Sequence, residues 1–278
     1  MRYAICNELF SGWSMDRVCA FVSAAGYTGI ELAPFTFAPD GVDRLSAAEL
    51  TKVRRAAVAA GLDVVGLHWL LVGPRGIHLT SRDATVRKRT SEYLCVLADC
   101  CSELGGKTMV LGSPKQRSLE AGMSLAEGLK LAADVLGPAV ERALALGVRW
   151  SLEPLPKTDT NFLNTLGSSL ELDALLGGGP ALGVQLDVKS LCAESVEAPA
   201  SIIDQHSAQA DRFVHFHAND RNLGAPGSGD VDFRPIFAAL HRSRYTGWLS
   251  VEVFDTEAGP ETIARAAIAY MRAVESTA

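Results

Sequence analysis

Residues 148–188 read VRWSLEPLPKTDTNFLNTLGSSLELDALLGGGPALGVQLDV. This stretch contains two short apolar runs, RWSLEP at 149–154 and LGVQLDV at 182–188, with a helix-like segment between them. One run carries Glu153 near its end and the other carries Asp187. Two buried strands joined by a helix form the β-α-β unit of parallel sheets. The stretch therefore predicts such a unit, with a carboxylate at the carboxyl end of each strand.

The same alternation extends over the whole chain. The strand candidates are residues 2–9, 29–35, 63–72, 107–113, 149–154, 182–188, 212–218 and 248–254. The helix candidates are residues 14–26, 46–61, 83–106, 124–147, 166–177, 199–211, 232–244 and 259–274. Several helix candidates begin with Ser or Asp and end at Gly, which are typical capping residues. Eight alternating units in 278 residues predict a (β/α)₈ TIM barrel in a single domain, 1–278.

An open, doubly wound sheet is the competing architecture. Such a sheet usually has a glycine-rich phosphate-binding turn after its first strand. Here the first strand candidate leads into CNELFSGW, which has no GxGxxG pattern. No Pro/Ser-rich linker divides the chain, so the closed barrel is favoured.

Composition narrows the classes of partner. Hydrophobic residues make up 48% of the chain, which is enough for a large core, and the net charge is −6. This acidic balance argues against nucleic acid and anionic membranes as partners. The six cysteines have no CxxC spacing and are expected to be reduced and mostly buried. No signal peptide or membrane-span pattern is evident, so we expect a cytoplasmic protein.

Four metal-binding residue types fall at the ends of the last four strand candidates. They are Glu153, Asp187, His217 in FVHFHAND, and Glu252 in WLSVEVFD. Taken singly, each is more often a solvated carboxylate, a capping residue or a packed imidazole. In a TIM barrel, however, the carboxyl ends of the strands meet at one rim, where active sites lie. Three carboxylates and one imidazole there predict a site for a divalent ion.

These residues resemble the xylose isomerase-like TIM barrels, which include sugar phosphate isomerases, ketose 3-epimerases and inosose dehydratases. The resemblance covers nearly the whole chain and is most specific between Trp150 and Asp255. It implies that Glu153, Asp187, His217 and Glu252 hold one divalent ion, with Mn²⁺ expected and Mg²⁺, Co²⁺ or Zn²⁺ as alternatives. Of the two histidines in HFH, His217 matches the family ligand because AND follows it directly, whereas His215 lies deeper in the barrel.

Three positions depart from the ketose 3-epimerase pattern. Asp159 stands where those enzymes have Glu, and Ser190 stands where they have His. Leu223 replaces an Arg, although Arg221 lies nearby. The metal quartet is therefore intact, while the surroundings of the substrate differ.

The resemblance implies an isomerase or epimerase of a sugar, a sugar phosphate or a keto-cyclitol. The ion would stabilise an enediolate, and Glu153 and Glu252 would act as acid and base. Glu31 and Trp69 are further strand-end residues expected to face the same mouth. The expected substrate contacts are His68, Lys115, Arg117, Asp159 and Arg221. Lys115 and Arg117 would either bind an anionic group such as phosphate or carboxylate, or lie in a solvated loop. The chain is expected to form a dimer or tetramer.

Other functions remain open at this point. A lyase of the inosose dehydratase type would use the same metal site, and the loss of the His at Ser190 makes that alternative serious. A sugar-binding barrel without turnover is the non-enzymatic alternative. A DNA-repair endonuclease on this barrel would need a trinuclear zinc cluster with more histidine ligands, and the acidic charge also argues against it.

Overall fold

The computed structural model describes residues 1–195 and 198–277. The strands form a closed barrel in the order β1 to β8, and every neighbouring pair is parallel. They are β1 Arg2–Cys6, β2 Gly29–Leu32, β3 Asp63–Leu67, β4 Thr108–Leu111, β5 Arg149–Leu152, β6 Val184–Asp187, β7 Phe213–Ala218 and β8 Trp248–Val251. The predicted (β/α)₈ barrel is confirmed.

The helices surround the barrel. They are α1 Met15–Ala25, α2 Ala47–Ala59, α3 Ala84–Leu104, α4 Leu125–Leu146, α5 Leu166–Leu175, α6 Val188–Glu194, α7 Pro199–Gln205, α8 Phe233–Arg242 and α9 Pro260–Glu275. Ser46 and Glu49 form a reciprocal capping box at the start of α2. Gly105 ends α3 in the left-handed conformation that the sequence predicts. Over the described ranges, no helix has both the length and the apolar character needed to cross a bilayer.

The connection from β6 to β7 differs from the prediction of one helix over residues 199–211. The short helix α6 begins directly after β6, because the Asp187 side chain accepts a hydrogen bond from the Ser190 backbone N–H. Pro199 opens α7, which ends at Gln205, and residues 207–212 form a 3₁₀ helix. The predicted helix is thus interrupted near His206, and a second helix precedes it.

Strand alternation separates an outer apolar layer from a polar barrel interior. In β5, Trp150 is buried and its Nε1 donates to the Ala139 carbonyl of α4 at 3.2 Å. The next residue, Ser151, donates instead to Gln185 Oε1 of β6 at 2.9 Å. Since successive side chains point to opposite faces, Glu153 shares the inward face of Ser151. The barrel therefore directs this carboxylate toward its axis.

A glycine lets β3 and β4 approach each other at the barrel wall. Gly66 is paired with Thr108, and a Cβ on Gly66 would lie only 1.8 Å from the Thr108 carbonyl oxygen. A strand backbone cannot yield as a flexible side chain can, so this position requires glycine.

We expect Gly66→Ala to lower the free energy of unfolding by at least about 3 kcal/mol, because overpacking against backbone forces the strands apart. Gly167→Ala is the matched control, since its nearest neighbours lie at an ordinary 3.9 Å. It should change stability by less than about 1 kcal/mol. Urea unfolding of both variants checks this, and equal losses would contradict it.

Candidate metal centre

The four predicted ligands meet at the carboxyl rim of the barrel. Glu153 and Glu252 directly follow β5 and β8, Asp187 ends β6, and His217 lies in β7. One ligand atom from each of the four lies within 4.8 Å of the others, and all four residues are buried. Three carboxylates and one imidazole thus converge on a single point inside the protein.

The free nitrogen of His217 indicates what this point can hold. His217 Nδ1 is buried and has no hydrogen-bond partner among the described residues. It nevertheless lies 3.2 Å from Glu252 Oε2 and 3.8 Å from Glu153 Oε1. A buried ring nitrogen without a partner is costly, whereas a metal ion accepts its lone pair and neutralises the carboxylates. The residues present fit a divalent cation.

Glu31 holds His217 from the opposite side of the ring. His217 Nε2 lies 3.2 Å from Glu31 Oε1, and His215 Nε2 lies 2.7 Å from Glu31 Oε2. Burial alone would raise the pKa of Glu31, but the charges of His215 and His217 outweigh it and keep that pKa well below its usual range. An ionised Glu31 accepts the Nε2 proton of His217 and so directs the Nδ1 lone pair toward the cluster. His215 is the deeper histidine, as expected.

Asp187 is fixed at both carboxylate oxygens. Oδ1 accepts from the Ser190 backbone N–H at 2.7 Å, and Oδ2 accepts from Asn219 Nδ2 at 2.7 Å. The Asn219 amide is itself oriented, because its Oδ1 accepts from the Lys189 backbone N–H at 2.8 Å. In the sequence Asn219 stands out only as part of the AND motif that follows His217, and this role was not predicted. Its place two residues after His217 was the available signal.

The carboxylates and imidazoles of the cluster shift each other's protonation. Burial, followed by the charges of Glu252 and Asp187, raises the pKa of Glu153 to about 8. Burial would also raise the pKa of Glu252, but the charge of His217 outweighs it and lowers that pKa. The His217 pKa is raised, because Glu252 and Glu31 overcome the effect of burial. Without an ion, protons on Glu153 and His217 therefore offset the negative charge.

Gly112 and Arg117 support Glu153 from β4 and the loop that follows it. A Cβ on Gly112 would lie 2.1 Å from Glu153 Oε2, so the missing side chain makes room for the carboxylate. Arg117 is fully buried and its Nη1 donates to the Glu153 carbonyl at 2.6 Å. Its other nitrogen, Nη2, donates to the Leu163 carbonyl at 3.3 Å. The guanidinium thus hydrogen-bonds to backbone carbonyls of separate segments. Two cavities lie above the cluster, and Arg117 lines neither of them, although the sequence predicts that it contacts an anionic group there.

His68 and Trp69, which directly follow β3, contact Glu252. Trp69 Nε1 donates to Glu252 Oε1 at 3.1 Å, and His68 Nδ1 lies 3.3 Å from the same oxygen. His68 Nε2 lies 3.0 Å from Glu8 Oε2. His68 is buried yet lines the small cavity directly above the cluster, together with Trp69 and Glu153.

A larger cavity of about 780 Å³ opens beyond the small one and shares part of its wall. Three of the predicted substrate contacts, Lys115, Asp159 and Arg221, line it. Lys189, which our sequence analysis did not single out, lines both cavities. The structure thus brings these predicted contacts to one mouth above the cluster.

Three residues around these cavities have an unusual backbone conformation. Ser113, Trp69 and Leu223 are left-handed, with φ of 45°, 52° and 68°. The Leu223 carbonyl accepts the backbone N–H groups of Phe254 and Asp255 at 2.9 Å each. The backbone of Leu223 therefore positions Phe254, which lines both cavities, whereas the Leu223 side chain is 45% exposed.

Comparison with known proteins identifies the family. The model of the xylose isomerase-like TIM barrel family matches residues 19–274. The chain belongs to this family, and the predicted resemblance is confirmed.

Particular relatives lie within the same family. A ketose 3-epimerase of Arthrobacter globiformis is 33% identical over 181 residues, which are 64% of this chain and 60% of that protein. A probable ketose 3-epimerase of Synechocystis sp. is 26% identical over 243 residues, 84% of this chain and 76% of that protein. A crystal structure of D-psicose 3-epimerase in the presence of D-fructose superposes with a TM-score of 0.85 at 20% identity, covering 99% of both chains. This last likeness shows the fold.

We expect Glu31→Gln to weaken Mn²⁺ binding about 10- to 100-fold, because the amide holds the His217 ring less firmly than the carboxylate does. Asp187→Asn, which alters a ligand directly, should weaken it more. Calorimetric titration of metal-free protein measures both. Unchanged binding in Glu31→Gln would contradict the orienting role.

We expect Mn²⁺ affinity to fall as the pH is lowered below 8, because the ion must displace the protons on Glu153 and His217. The apparent association constant should change about tenfold per pH unit for each proton displaced. Titrations between pH 6 and 8 in buffers of different ionisation enthalpy measure the release. In Glu153→Gln one proton fewer should be released, and a wild type that releases none would refute the assignment.

Proposed function

We propose that this chain is a divalent-metal-dependent sugar epimerase of the ketose 3-epimerase class. The observation that carries the proposal is the buried Glu153–Asp187–His217–Glu252 cluster, which lies beneath a cavity at the carboxyl rim of the barrel. The relatives named as ketose 3-epimerases support this choice of reaction over other reactions of the family.

Glu153 and Glu252 differ in basicity, as the two groups of an acid–base pair do. Without an ion, the pKa of Glu153 is raised to about 8 whereas that of Glu252 is lowered, so Glu153 is the more basic of the two carboxylates. One carboxylate can remove the proton next to the substrate carbonyl while the other returns one. Return to the opposite face of the same carbon inverts that carbon, which is epimerisation.

The surroundings of Glu252 keep this base in place. Trp69 Nε1 donates to Oε1, so the carboxylate is oriented by a hydrogen bond in addition to any ion it contacts. His68 lies against the same oxygen and is itself braced by Glu8. His68 also lines the small cavity, where it can donate to a substrate oxygen.

Mn²⁺ is the ion that we propose for the site. Three carboxylates and one imidazole suit a fairly hard divalent ion, while the donor set contains no thiolate to favour a softer one. Co²⁺, Mg²⁺ and Zn²⁺ are the alternatives. When bound, the ion would polarise the substrate carbonyl and acidify the neighbouring C–H bond.

A dehydratase acting on a keto-cyclitol or keto-sugar is the second candidate. The observation that favours it is Ser190, which is buried and whose Oγ has no hydrogen-bond partner among the described residues. This hydroxyl stands where the resembling epimerases have a histidine, and a serine is a weaker acid–base group than a histidine. Loss of water from the substrate distinguishes this reaction from epimerisation.

We expect wild-type protein with Mn²⁺ to exchange the α-proton of a ketose with solvent deuterium and to form the C3 epimer. Glu153→Gln and Glu252→Gln should each lower the exchange rate about 10²- to 10⁴-fold, since each removes an acid–base group. NMR follows the exchange and elemental analysis follows the bound metal. Glu171→Gln, an exposed change on α5, is the matched control.

The products separate the remaining possibilities. Exchange with loss of water would replace the epimerase proposal with the dehydratase. Metal binding without exchange in any ketose, ketose phosphate or keto-cyclitol would refute both reactions and leave a sugar-binding barrel.

A further inference from the structure

Lys189 lies inside the active-site mouth rather than on the protein surface. Its side chain is 14% exposed, and its Nζ lies 3.4 Å from Asp159 Oδ2. The same nitrogen lies 4.3 Å from the centre of the Phe254 ring, over the ring face. Lys189 borders the small cavity above Glu153 and Glu252 as well as the outer cavity.

The ammonium of Lys189 has unused hydrogen-bonding capacity. A lysine carries three N–H donors, and the described residues supply one acceptor, Asp159, at the long distance of 3.4 Å. Removing an ammonium from water is costly unless it is paired and hydrogen-bonded. The Phe254 ring face offsets part of this cost, so a ligand oxygen in the cavity would complete the pairing.

Cations outnumber carboxylates around the outer cavity. Lys189 and Asp159 border both cavities, whereas Glu153 and Glu252 border only the inner one and Lys115 and Arg221 border only the outer one. Among the described residues lining the outer cavity, Asp159 is the single carboxylate. A neutral polyol gives no reason for three cations around one carboxylate, whereas an anionic ligand group does.

We propose that Lys189, with Lys115 and Arg221 at the rim, forms a subsite for an anionic substituent of the substrate. The carbonyl end of a ketose would lie in the inner cavity and a phosphate ester or carboxylate would lie in the outer one. This inference rests on the proposed epimerase function and deepens it, since it selects charged ketoses over neutral ones. Lys189 is then a residue that determines specificity.

A second possible role for Lys189, charge balance of the buried carboxylates, would change ligand affinities in a different pattern. If the ammonium only balanced the buried carboxylates, its removal would change metal affinity and affect neutral and anionic ligands alike. A subsite predicts instead a loss confined to anionic ligands. The two roles can therefore be separated by ligand pairs that differ in a single group.

The experiment titrates purified, Mn²⁺-supplemented protein with two matched pairs of ligands by calorimetry. One pair is L-ribulose and L-ribulose 5-phosphate, and the other is L-sorbose and 5-keto-D-gluconate. Wild type should bind at least one anionic member about tenfold or more tightly than its neutral partner, the gain expected of a charge-assisted contact. The pair with the larger ratio distinguishes phosphate from carboxylate.

Variants locate the effect. Lys189→Met should reduce the preference to about twofold or less, while Lys189→Arg should retain most of it because the positive charge remains. Lys130→Met is the control, since it removes the same charge from an exposed position on α4. With a ligand that turns over, the loss in Lys189→Met should appear mainly in KM.

Equal binding of both members of each pair by wild type would overturn the proposal. So would a Lys189→Met variant that weakens neutral and anionic ligands equally. Failure of the epimerase function is recognised separately, because α-proton exchange would then be absent while the anion preference could still be measured.

Discussion

The pairing of Glu31 with the two histidines of β7 is the interaction on which the candidate metal centre depends. An ionised carboxylate inside a barrel is stable only when it is paired, and His215 and His217 supply the partners. The pairing crosses the barrel from β2 to β7 and fixes one face of His217. Because Glu31 contacts Nε2 of His217, the other ring nitrogen, Nδ1, is left for the three carboxylates at the ends of β5, β6 and β8. The rest of the site is arranged around Nδ1.

The carboxylates add a second constraint, since like charges in a dry environment repel strongly. The repulsion is reduced in a different way at each carboxylate. Without an ion Glu153 holds a proton, Glu252 accepts a hydrogen bond from Trp69 and lies beside His68, and Asp187 accepts hydrogen bonds from Asn219 and from a backbone N–H. Glu153 and Glu252 therefore differ in basicity, which suits proton transfer better than equivalent carboxylates would.

The barrel and the four residues of the cluster could be predicted from the sequence, because strand and helix patterns alternate regularly along the chain. Strand alternation and strand order place Glu153, Asp187, His217 and Glu252 at one rim whatever the loops do. Arg117 could not be predicted in the same way, since a polar SPKQRS loop has the same sequence whether its guanidinium meets solvent or three buried carbonyls. Lys189 was missed because it lies in α6, a short helix without a clear pattern. The dimer or tetramer and the cytoplasmic location stay predictions.

The left-handed backbones of Trp69, Ser113 and Leu223 have a consequence for evolution and engineering. Each such residue costs on the order of 1 kcal/mol or more, and glycine would relieve that strain. At Trp69, however, glycine would also remove the indole that holds Glu252. At the mouth, stability and the geometry of the candidate site therefore oppose each other, and substitutions selected for thermal tolerance alone would disturb the site there first.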